Sequence, residues 1–127
     1  MILVDTSVWV DYLRGNCPQL AKFLEKNQVV MNPLIIGELA CGNLKNRAKL
    51  LSLWKSLETT PTATHDENLF FIEDNRLMGK GIGYIDIQLL ATTKLSPGLK
   101  LWTHDKRLAN IAEQMGCKFD ENFSSEL

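Results

Sequence analysis

The sequence predicts an α/β fold: a three-layer sandwich with a mainly parallel central sheet of about five strands and helices on both faces. Two observations lead there. Short apolar runs rich in strand formers alternate with helical stretches from one end of the chain to the other. The chain also has 127 residues, 45% of them hydrophobic, with no internal repeat, low-complexity segment or linker, so residues 1–127 are expected to form one domain.

Met1 to Asp5 is a short apolar run ending in an acid and reads as the first strand. Thr6 and Ser7 then offer an N-cap to a helix over Val8 to Leu13, which Gly15 stops. Pro18 opens a second helical stretch, with Leu20, Phe23 and Leu24 at helical spacing, and Gln28 to Met31 is a second strand. Asn32 before Pro33 is a cap followed by proline at the first helical position, leading into a helix that Gly42 ends. A longer amphipathic helix spans about Leu44 to Leu57, with Leu50, Leu51, Trp54 and Leu57 on its buried face. Residues 59 to 64 fit a weak edge strand, because a proline is tolerated only where a ladder donor can be spared. Helices over Asp66 to about Met78 and Tyr84 to about Leu95 are joined across Gly79, Gly81 and Gly83. Leu99 to Thr103 is a strand, Asp105 to Met115 a helix and Cys117 to Phe119 a last short strand, after which a polar tail beyond Asp120 is expected to fray.

Composition narrows the function classes. Fourteen Lys and Arg against 15 Asp and Glu leave a net charge of −1, which argues against a polycation gripping nucleic acid with its whole surface. No apolar run approaches the roughly 18 residues of a membrane span, and MILVDTSVWV lacks the features of a signal peptide, so a soluble cytoplasmic protein is expected. Cys17, Cys41 and Cys117 are odd in number and widely spaced, suggesting reduced thiols rather than a disulfide framework or zinc site.

The gaps between charges are more telling than their total. Asp5 is the only charged residue from Met1 to Val10, Glu38 the only one between Lys26 and Lys45, and Asp86 the only one between Lys80 and Lys94. Burying an unpaired carboxylate costs several kcal/mol, so an acid set in apolar sequence needs a cation, donors or a proton. No Lys or Arg lies within these stretches. Asp5 ends its strand and Asp105 follows Leu101 to Thr103, where ligands of open parallel sheets bind, and Glu38 and Asp86 lie early in helices able to point into the same crevice. Carboxylates gathered there would repel one another unless a metal sat between them, and hard oxygen ligands favour Mg²⁺ or Mn²⁺ over zinc. Each acid also has a plainer reading: Asp5 as a turn former, Asp86 and Asp105 as helix-start residues, Glu38 as a half-exposed helix former.

DTSVW at 5–9, GEL at 37–39 with Gly42 after it, YIDIQLLATT at 84–93 and LWTHDKRLANIA at 101–112 together resemble the PIN-domain ribonucleases, most nearly the VapC toxins of toxin-antitoxin pairs. The match spans nearly the whole chain in the family's order and spacing. The resemblance implies an Mg²⁺-dependent endoribonuclease whose catalytic quartet falls on Asp5, Glu38, Asp86 and Asp105. Asp5, Asp86 and Asp105 would hold the metal, with Thr6, Ser7 and Thr103 in support. It further implies 5′-phosphate and 3′-hydroxyl products, a VapB-like antitoxin lying over the nuclease groove, and a homodimer. Asn32-Pro33 departs from the Ser or Thr that many relatives carry there, which bears only on the helix cap. His104 falls where the family tolerates many residue types and receives no role. Setting the four acids aside leaves 11 acids against 14 bases, a balance of +3. Lys45, Arg47 and Lys49, or Arg76 and Lys80, are then candidates for RNA phosphates or acidic partner residues, against the plainer reading of solvated helix faces. Trp9, Tyr12, Phe23 and Trp54 are candidates for partner surfaces, although aromatic residues at helical spacing are more often core.

Rival readings also use Asp5. A haloacid-dehalogenase-like phosphatase needs a second Asp two positions on, where Ser7 stands. A receiver-like phosphoacceptor domain needs a paired acid and a strand-end lysine that are not where expected. Gly79, Gly81 and Gly83 give G-x-G-x-G after a helix, not the dinucleotide fingerprint after a strand.

Overall fold

The computed structural model describes residues 1–121; the expected frayed tail lies, from residue 122 on, outside them. The elements run β1 (Ile2–Val4), α1 (Thr6–Leu13), α2 (Leu20–Glu25), β2 (Val29–Met31), α3 (Pro33–Ala40), α4 (Arg47–Ser56), β3 (Glu58–Thr59), α5 (His65–Asn75), α6 (Tyr84–Leu95), β4 (Lys100–Trp102) and α7 (Lys106–Gln114). The sheet has the order β3-β2-β1-β4 with every pairing parallel, as the alternation of strands and helices predicts. Every residue of β1 and β2 is buried, which is why both read as unbroken apolar runs rather than alternating ones.

Among the described residues four strands form, not about five. After Gly116 the chain returns to β4 and exchanges two backbone bonds with Leu101, from Leu101 N–H to the Cys117 carbonyl (2.7 Å) and from Phe119 N–H to the Leu101 carbonyl (2.8 Å). Pairing stops at that single bridge opposite Lys118. Phe119 packs its ring against Phe23 and Trp102, at centroid separations of 5.3 and 4.9 Å. The expected edge strand over 59–64 is confined to Glu58–Thr59; Thr60 N–H gives one more bond to the Met31 carbonyl (2.9 Å), and Pro61 then has no N–H to offer.

Local signals explain the helices. Asn32 caps α3 by accepting the Leu34 N–H (2.9 Å), with Pro33 behind it, so asparagine serves where a Ser or Thr is usual. Thr64 opens α5 with a reciprocal capping box: its hydroxyl accepts the Glu67 N–H (3.1 Å) and its own N–H donates to the Glu67 carboxylate (2.8 Å). α1 corrects the sequence reading, since Asp5 takes the N-cap position and its carboxylate makes no cap bond. Thr6 and Ser7 fall inside the first turn, with their hydroxyls turned to carboxylates instead.

The core draws on both strands and helices, with Leu3, Val4, Val8, Ile35, Leu101 and Leu108 fully buried. Trp9 and Trp54 meet edge-on at 5.8 Å within it, so these aromatic residues are core; Phe23 is also buried, and Tyr12 packs partly buried against the same cluster. α6 is enclosed along Ile87–Thr93, and its buried Gln88 lies 2.6 Å from Asn68 of α5. Cys17, Cys41 and Cys117 are free, and burial pushes the Cys17 and Cys117 thiols up from their ordinary value.

Candidate active site

Parallel pairing of β1 with β4 sets Val4 opposite Trp102, so both chains leave the sheet together at the same end. The Asp5 N–H donates to the Trp102 carbonyl (2.9 Å), which places Thr103 beside the Asp5 carboxylate. That carboxylate is buried, and one of its oxygens, Oδ2, accepts from Ser7 Oγ (2.8 Å) and from Thr103 Oγ1 (2.7 Å). Each hydroxyl is itself an acceptor: Ser7 Oγ takes the His104 N–H (3.0 Å) and Thr103 Oγ1 takes the Asp105 N–H (3.1 Å). With both protons committed to Asp5, the 3.3 Å approach of the two hydroxyls is a contact rather than a third bond. Backbone, hydroxyl and carboxylate thus form two short relays ending on one oxygen.

The other three acids arrive from separate elements. Glu38 on α3 lies at the exposed rim, where Thr6 Oγ1 donates to its Oε1 (2.6 Å). Asp105 precedes α7 and uses Oδ1 to accept the Arg107 and Leu108 N–H groups (2.9 and 3.2 Å), so its plainer capping role is present. Asp86, half-buried in the first turn of α6, accepts the Gly83 N–H on Oδ2 (3.1 Å). Burial raises the Asp86 carboxyl above its ordinary value, the Gly83 N–H opposes that, and Asp5, Asp105 and Glu38 push it further up. All four acids therefore lie within one electrostatic neighbourhood. Among the described residues none is salt-bridged to Lys or Arg.

The donor set consists of carboxylate oxygens, which suits Mg²⁺ or Mn²⁺ rather than a softer ion. Among the described residues no three acid, histidine or cysteine side chains close into a ready cage. That openness is compatible with Mg²⁺, which commonly keeps several waters and takes one or two carboxylates together with substrate phosphate oxygens.

The resemblance gives His104 no role, yet it braces this end of the sheet. Its Nδ1 lies 2.6 Å from Asp11 Oδ2 on α1 and its Nε2 lies 2.8 Å from Glu121 Oε1, while its N–H holds Ser7. Nothing local signals this, because Asp11 is 93 residues away in the chain. Arg47, a candidate phosphate contact, turns back to the carbonyls of Ala40 and Gly42 (2.6 and 3.1 Å). Beside Glu38 and Thr6 opens a groove of about 440 Å³, walled by Val10, Leu13, Leu39 and Leu50 with Arg14 and Lys45 at its lip.

The PIN domain family matches residues 2–114. Over 124 residues, covering 98% of this chain and all of the relative, the sequence is 41% identical to Ribonuclease VapC32 of Mycobacterium tuberculosis, in each of two strains. The crystal structure of PAE2754 from Pyrobaculum aerophilum superposes with a TM-score of 0.65 at 18% identity, covering 94% of this chain and 87% of that one, a likeness of fold. The chain therefore belongs to the PIN-domain family, as a VapC-like member.

Proposed function

We propose that this chain is a divalent-metal-dependent endoribonuclease and the toxin of a VapBC-type pair. The observation that carries the reading is the approach of Asp5, Glu38 and Asp105, from three other elements, to Asp86, whose carboxyl is raised first by burial and then by those acids. Similarity to a ribonuclease over nearly the full chain supports it.

In this reading Asp5, Asp86 and Asp105 hold Mg²⁺, or Mn²⁺ in its place. When bound, the ion neutralises the carboxylates, polarises a phosphoryl oxygen and makes water more acidic. The chain's own residues supply position. Ser7 and Thr103 fix Asp5, the first turn of α7 fixes Asp105, and the Gly83 N–H fixes Asp86. Glu38, outside the metal set and oriented by Thr6, takes the proton of the attacking water. A new bond forms from that water oxygen to phosphorus and the bond to the 3′ oxygen breaks, the departing oxygen taking a proton from solvent water, which leaves a 5′-phosphate and a 3′-hydroxyl.

The groove beside Glu38, apolar with a basic lip, suits a segment of a VapB-like antitoxin that presents apolar and acidic side chains. A single-domain, homodimeric, cytoplasmic toxin completes the proposal. Among the described residues no helix is long and apolar enough to cross a membrane.

Purified protein is expected to cut single-stranded RNA with Mg²⁺ or Mn²⁺ and to stop in EDTA. Asp5→Ala is expected to lower the rate on the order of a hundredfold or more while the circular dichroism spectrum is kept. Cleavage that continues in EDTA, or full activity in that variant, refutes the nuclease reading. Harmless expression of an active enzyme refutes the toxin role alone.

A further inference from the structure

We propose that Arg107, laid across the backbone at Gly81, is a phosphate-binding arm at the rim of the acid cluster that holds a phosphodiester next to the one being cut. The inference rests on the nuclease reading and adds to it a residue that contacts the RNA strand.

The Arg107 side chain lies where a side chain at Gly81 would otherwise project. A methyl group on Gly81 would stand 2.9 Å from both Cδ and Nη1 of Arg107 and 3.2 Å from its Nε. Gly81 also has φ +80°, so the position favours glycine twice over: for its backbone and for the arginine that covers it. The two ends of this contact flank the acids. The Arg107 N–H is bonded to Asp105 Oδ1 (2.9 Å), and Gly81 lies two residues before Gly83, whose N–H is bonded to Asp86 Oδ2 (3.1 Å). The side chain thus bridges the helix that Asp105 caps and the connection that Asp86 anchors.

Three other cations are turned to backbone carbonyls. Arg47 is bound to the Ala40 and Gly42 carbonyls, Lys94 to Met115 O (2.9 Å) and Lys100 to Gly116 O (3.0 Å). Arg107 is exposed, and among the described residues its guanidinium has neither a hydrogen bond nor a carboxylate within 4.0 Å. A cluster of four carboxylates repels a polyanion, so RNA needs positive charge close to the pocket to approach it. A guanidinium meets a phosphate with two parallel N–H donors.

The test measures Mg²⁺-dependent cleavage of a short single-stranded RNA by the full chain across a salt series. Arg107→Ala is expected to lower kcat/KM roughly tenfold, with the loss in KM rather than kcat, as fits one charge-assisted contact. The slope of log(kcat/KM) against log salt should become shallower by about 0.7, one single-strand phosphate contact. Its urea unfolding curve should overlay that of the wild type. Arg107→Lys should keep the slope and recover part of the KM loss. Normal KM and salt slope in Arg107→Ala overturn the proposal while leaving the nuclease intact. Wild-type protein that cuts no RNA with either metal overturns both.

Discussion

Replacing Thr103 by valine keeps the side chain's shape and removes one hydroxyl, which isolates what that hydroxyl does for Asp5. Thr103 is 7% exposed and Asp5 6%, so water cannot readily replace the lost bond. The hydroxyl donates to the Asp5 carboxylate at 2.7 Å and accepts the Asp105 N–H at 3.1 Å. A hydrogen bond to a charged group contributes about 1.5–3 kcal/mol and a neutral one about 0.5–1.5 kcal/mol. Thr103→Val should therefore lower the unfolding free energy by roughly 2–4 kcal/mol near neutral pH. Thr103→Ser keeps the hydroxyl and loses only a methyl, for about 1 kcal/mol. Urea denaturation in EDTA, monitored by tryptophan fluorescence, measures both variants without metal binding. A Thr103→Val variant within 0.5 kcal/mol of the wild type, or a serine variant as unstable as the valine one, would show that Ser7 suffices and that the two-relay account of Asp5 is wrong.

Asp86→Asn should stabilise the metal-free protein at neutral pH while abolishing metal-dependent cleavage, because the folded state raises the Asp86 carboxyl above its ordinary 3.8. A raised acid binds its proton more tightly when folded, so its unfavourable contribution grows as pH rises from 3.8 through the folded value and disappears below 3.8. The gain in Asp86→Asn should fade accordingly in acid; unfolding curves at pH 3 and pH 7 that show the same gain would contradict this. His104→Ala should destabilise the fold by about 1–2 kcal/mol, since it removes two partly exposed contacts to Asp11 and Glu121 but leaves the backbone bond to Ser7. A double-mutant cycle with Asp11→Asn should show coupling of a few tenths of a kcal/mol or more, and strict additivity would count against the brace.

Much of this protein was legible in its sequence because the signals are local. Apolar runs, the Asn32-Pro33 cap and the glycines between α5 and α6 all act over a few residues, and the elements follow them closely. The isolation of Asp5, Glu38 and Asp86 in apolar sequence was legible for the same reason, since a lone charge there must have a compensating cause. Tertiary structure decided the rest. Only the register of β1 against β4 brings Thr103 to Asp5, and only the packing of α1 beside α3 brings Thr6 to Glu38. Only the packed fold brings His104 between Asp11 and Glu121, and Arg107 across Gly81. It also reduced the fifth strand to one bridge, because only Cys117 and Lys118 separate Gly116 from the aromatic packing of Phe119, which leaves little ladder to form. Hydrophobic period and turn chemistry are properties of neighbours along the chain, whereas the meeting of charges and hydroxyls from residues some 90 apart depends on how the sheet aligns them.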